Sequence, residues 1–65
     1  MWVPFMKVKN GFVAETWREL FAAEGLSVRV VPPVGYGERA SMWDERTLYV
    51  PAGKPHVARE ILRKI

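Results

Sequence analysis

Hydrophobic positions along this chain recur with two periods. From Pro4 to Lys9 the apolar Met6 and Val8 alternate with Phe5, Lys7 and Lys9, the period-two pattern of a half-buried strand. Val13, Ala14, Trp17, Leu20 and Phe21 then recur at helical spacing, with Glu15, Arg18, Glu19 and Glu24 mostly opposite them. Asn10 is placed to cap the first free amides of this helix, and Gly25 to end it in a left-handed turn that brings Leu26 back to Phe21. Leu26, Val28 and Val30 alternate with Ser27, Arg29 and Val31 in a second strand. Pro32-Pro33 stops that strand, because proline donates no backbone hydrogen bond. Thr47-Leu48-Tyr49-Val50, β-branched and aromatic, predicts a third strand. Pro55 suits the first turn of a second helix, whose stripe is Val57, Ala58, Ile61, Leu62 and Ile65, with Glu60 spaced to pair with Lys64.

The order strand, helix, strand, strand, helix predicts an α+β fold. Two helices with one apolar stripe each require one sheet face, so both lie on the same side. A right-handed crossover makes the first two strands parallel, and the long link to the third lets it insert between them, antiparallel to both. The expected sheet is three-stranded in the order 1-3-2, half of a ferredoxin-like fold. The alternative adds the third strand outside the second and leaves Leu48 and Val50 on an edge. The expected core is Met6, Val8, Val13, Trp17, Leu20, Phe21, Leu26, Val28, Val30, Leu48, Val50, Val57, Ile61 and Leu62.

Composition narrows the classes. With 65 residues, residues 1–65 are read as a single small domain, and 49% apolar with 26% charged residues favours a folded chain over a disordered one. The absence of cysteine leaves no disulfide or thiolate staple, so the apolar core must hold the fold, with self-association as a further support. No apolar run reaches the ~20 residues of a membrane span, and Met1-Trp2-Val3-Pro4-Phe5-Met6 does not read as a secretory leader, so a cytoplasmic setting without membrane attachment is expected. A net charge of +3 tilts the chain towards acidic partners, although its basic residues are scattered along the sequence.

Three pieces carry a resemblance: F-M-K-V-K-N-G-F-V-A-E-T-W, then L-F-A-A-E-G-L-S-V-R-V, and L-Y-V-P followed by V-A-R-E-I-L. Together they resemble a short bacterial family described as prokaryotic signal-transducing proteins, a domain of unknown function, over nearly the whole chain. The resemblance implies a ferredoxin-like fold of the kind found in nitrogen-signalling trimers and a role in signal transduction, and it transfers no catalytic residue. Members of that family often start the last helix with acidic residues, where this chain has the basic Gly53-Lys54-Pro55-His56.

Two surfaces are candidates for function. The first is the link of roughly thirteen residues between the second and third strands, far longer than the ~2–5 of a hairpin. Its Gly35-Tyr36-Gly37 reads as a turn needing positive φ, because no lysine follows to complete a phosphate cradle. Tyr36, Arg39, Trp43 and Arg46 are its candidate binding residues. The second is the sheet face away from the helices, expected to display Phe5, Lys7, Lys9, Arg29, Val31, Thr47 and Tyr49. Of these, Phe5, Lys7, Arg29 and Tyr49 are candidates for a binding or oligomer interface. A lone His56 and no cysteine leave no metal cluster, and the adjacent Asp44 and Glu45 read as a wet loop rather than an acid-base pair. No catalytic residue and no cofactor are expected. The reading is a non-enzymatic regulatory or interaction module that binds a protein or small ligand as a homo-oligomer. The alternative is a single-stranded nucleic-acid-binding domain using Lys7, Lys9, Arg29 and Tyr49 on the basic, aromatic sheet face.

Overall fold

A computed structural model describes residues 1–36 and 39–65. The chain runs β1 (Trp2–Val8), α1 (Gly11–Ala23), β2 (Arg29–Val31), β3 (Arg46–Pro51) and α2 (Pro55–Lys64). β3 lies between β1 and β2 and is antiparallel to both, so the sheet has the order β1-β3-β2 of a ferredoxin-like half. The Gly37 and Glu38 positions of the expected glycine turn lie outside the described residues.

Local chemistry sets the ends of α1. The Asn10 backbone is extended, and its side-chain oxygen accepts from the Val13 amide at 2.9 Å. At the other end the Gly25 amide donates to Ala22 O (3.0 Å) and the Leu26 amide to Phe21 O (2.9 Å), the two bonds of a Schellman motif. That motif needs a left-handed residue, and Gly25 supplies it with φ 87°. Pro55 opens α2, where its missing amide hydrogen costs no helical bond.

Both helices cover one side of the sheet. Phe21 from α1, Ala58 and Ile61 from α2, and Leu48 and Val50 from β3 belong to one buried cluster with Val8, Ala14 and Leu26. Phe21, Leu48 and Val50 are its largest fully enclosed side chains, each contributing about 1.5–3 kcal/mol of burial. Cross-strand partners share a face, so Val3 (opposite Val50), Met6 and Val30 (opposite Leu48) and Val8 (opposite Arg46) point the same way. Leu20, expected in the core, is 38% exposed: it stands one step round the helix from Phe21, beyond the stripe that the narrow sheet covers. Ala14 and Ala58 are enclosed instead. Glu60 pairs with Arg63 rather than Lys64 (3.1 Å), and Lys64 reaches across to Glu24 (2.6 Å), joining the last turns of the two helices.

β1 departs from simple alternation. Pro4 faces Tyr49 and Met6 faces Leu48, so Phe5 is an extra residue in a β-bulge. The bulge turns Phe5 inward, where its ring meets the Phe21 ring edge-on, with centroids 6.2 Å apart at 87°. Phe5 is therefore packed against the core and does not belong to the open face expected from strict alternation. The same shift places Trp2 and Pro4 on the open face.

Candidate functional site

The link between β2 and β3 is folded back on α1 rather than standing free. The Gly11 amide donates to Met42 O at 2.7 Å, and a Cβ on Gly11 would lie 2.9 Å from Met42 Sδ and 3.2 Å from Met42 O. Glycine is required there by close approach. Further along, the Asp44 carboxylate accepts from the Ser41 amide at 2.8 Å, and the Ser41 hydroxyl accepts from the Trp43 amide at 3.2 Å. Short polar side chains that bond nearby backbone in this way hold turns.

Arg46 completes this arrangement. Its guanidinium donates to Asp44 O (2.8 Å), Glu45 O (3.1 Å) and Ser41 O (2.8 Å), and the residue is only 9% exposed. Five donors in a rigid fork suit it to gathering several carbonyls. This corrects its reading as a ligand-binding residue: Arg46 is spent on the loop's own backbone. The other three loop candidates do not converge either. Tyr36 and Arg39 share a shallow hollow with Gly35, which has the positive φ (88°) expected of a turn. Trp43, 75% exposed, instead lies against the half-exposed Phe12 at the start of α1, with ring centroids 5.0 Å apart. His56 is exposed at the start of α2.

The open sheet face gathers more. Strand pairing arranges it in rows: Trp2 beside Pro51, then Pro4, Tyr49 and Arg29 abreast, then Lys7, Thr47 and Val31 abreast. Lys7, Arg29 and Tyr49 stand where the alternation places them. The Arg29 guanidinium lies 4.8 Å from the centre of the Trp2 ring, a cation–π contact that crosses β3. Below this pair the face dips into a groove of about 310 Å³, whose lining includes Pro4, Val31, Pro33 and Tyr49 with Lys7 and Glu45. That volume is at the lower end for a small-molecule site. Trp2 was not among the candidates because the run Trp2-Val3-Pro4-Phe5-Met6 has no polar residue to mark the parity change; Pro4 is its single hint, since proline within a strand favours edges and bulges.

On α1 with its Glu24 cap and α2 with its Lys54 cap, the five cations Arg18, Lys54, Arg59, Arg63 and Lys64 face the four anions Glu15, Glu19, Glu24 and Glu60, so +2 of the net charge of +3 belongs to the strands and loops. Three of those helical cations are in ion pairs, Arg18 with Glu15, Arg63 with Glu60 and Lys64 with Glu24. The hydrogen bond that Arg18 donates to the Glu15 carboxylate, aided by the charge of Glu15, raises the Arg18 pKa above the ordinary arginine value. Among the described residues, Lys7, Lys9 and Arg29 enter no ion pair.

No group of three or more His, Asp or Glu side chains that could hold a metal occurs among the described residues. Among them, too, no helix is long and apolar enough to cross a membrane. Comparison of the chain with protein-family models, with curated proteins and with solved structures returned no match.

Proposed function

We propose that this chain is a non-enzymatic interaction module, acting in the cytoplasm, whose recognition surface is the open face of its sheet. One observation carries the reading: the helices cover only one side, and the other presents Trp2, Tyr49 and Val31 beside the unpaired cations Arg29 and Lys7. Aromatic and arginine side chains on one surface are the groups that dominate binding energy at interfaces. The resemblance to a signal-transducing family supports a regulatory use of that surface. Site-specific photo-crosslinking in cells tests it. A crosslinker replacing Tyr49 is expected to capture a partner that one replacing Arg59, on α2, does not. Equal capture from both positions, or none from Tyr49, sinks the reading.

Self-association is the second part of the proposal, and the Phe12–Trp43 pair favours it. Two large aromatic side chains stand exposed together at the start of α1, next to a part-exposed Met42. Contiguous apolar surface of this kind marks a protein contact. The basic sheet face is less suited to a second copy of itself, since a two-fold axis would set Lys7 and Arg29 near their own symmetry mates.

A further inference from the structure

The open face also defines the chemistry of its partner. We infer that it binds single-stranded RNA, an assignment that rests on the reading of this face as the recognition surface.

Three observations converge. First, Lys7 and Arg29 on the open face, with Lys9 just beyond β1, are not neutralised by any described carboxylate, whereas three of the four cations on the helices are in ion pairs. A polyanion fits that face rather than the ion-paired surface of the helices. Second, the flat groups are contiguous: Tyr49 stands beside Arg29 in the strand pairing, and Arg29 is held over Trp2. A tyrosine ring and a guanidinium plane supported by an indole are surfaces on which unpaired bases stack. Bases in a duplex are already stacked on one another and cannot use them. An acidic protein would answer the charge but would leave those planes without flat partners.

Third, the groove next to Tyr49 sets the sugar. Its polar lining includes Lys7, Thr47 and Glu45. Lys7, in the same groove, and Arg29, beside Tyr49, attract the phosphate backbone. Glu45 and the Thr47 hydroxyl then face the ribose as acceptors for a 2′-hydroxyl, the group that distinguishes RNA from DNA.

Fluorescence anisotropy of a labelled oligouridylate of about twelve nucleotides tests this, titrated with the whole chain at salt from about 20 to 200 mM. Each single-strand phosphate contact contributes a slope of about −0.7 in log affinity against log salt. Contacts from Lys7 and Arg29 therefore predict a loss of roughly twenty-five-fold over that range. Tyr49→Ala is expected to weaken binding at least about fivefold with the slope unchanged. Arg29→Ala is expected to reduce the slope by about 0.7, and this surface variant carries the test should Tyr49→Ala fail to fold. Arg63→Ala removes the same charge from the helical side and is expected to bind as the parent chain does.

Absence of binding at the lowest salt overturns the RNA assignment and leaves the crosslinking test of the face standing. Equal weakening by Arg63→Ala and Arg29→Ala means that net charge alone is sensed, and the face reading falls with the inference. An oligothymidylate of the same length bound as tightly as the oligouridylate overturns the ribose assignment, and an oligoglutamate that competes equally well overturns nucleic acid as the partner.

Discussion

Single residues set the boundaries of this fold where their chemistry is local, and those residues are readable in the sequence. Asn10, Gly25 and Pro55 each act within one turn of helix, through a side-chain oxygen, a positive φ and a missing amide hydrogen. Gly11 and Arg46 are different, because their roles depend on where the β2–β3 link returns to the body of the protein. Gly11 reads as an ordinary helix start until Met42 is seen lying against it. Arg46 reads as a ligand-seeking cation until its three carbonyl partners are in place. Gly11→Ala should lower stability by about 1 kcal/mol: overpacking at ~1–3 kcal/mol outweighs the helix-propensity gain of at most ~1. Thermal denaturation measures the difference. An unchanged or raised midpoint would mean that the loop is not pinned at Met42.

Among the elements, both helices and all three strands follow from period and punctuation, and what the alternation misplaces follows from one inserted residue. A period-two reading assumes that every residue of β1 has a partner on β3. Phe5 has none, and everything N-terminal to it changes face. Thus Phe5 goes to Phe21 and the core, while Trp2 and Pro4 join the open face. Lys7, C-terminal to the bulge, keeps its expected side. The two residues should respond accordingly to truncation. Phe5→Ala is expected to cost about 2–3 kcal/mol, below the ~3–5 of a fully enclosed phenylalanine because Phe5 is only partly buried. Lys7→Ala should fall within about 0.5 kcal/mol of the parent. Urea denaturation of both would refute the bulge assignment if their effects were alike.

For the molecule as a whole, the separation of charge was beyond the sequence pattern. Its basic residues look evenly scattered along the chain, and only the folded arrangement shows that, among the described residues, three on the helices sit in ion pairs while Lys7 and Arg29 on the sheet face do not. Self-association belongs to this scale too. Sedimentation at micromolar concentration should show a species larger than the monomer. Trp43→Asp is expected to dissociate it, and Tyr49→Asp to leave it intact. The opposite pattern would move the contact to the sheet face, and a monomeric parent chain would remove it altogether.

A three-stranded sheet leaves two borders whose peptide groups could recruit strands from neighbouring molecules without limit. Here one border carries Pro4 and the kink at Phe5, and the other spans only Arg29–Val31 before Pro32-Pro33 intervenes. Such interruptions deny an incoming strand a continuous ladder. Crowded copies are thereby kept from zipping into ribbons, although one whole face of the sheet is left uncovered.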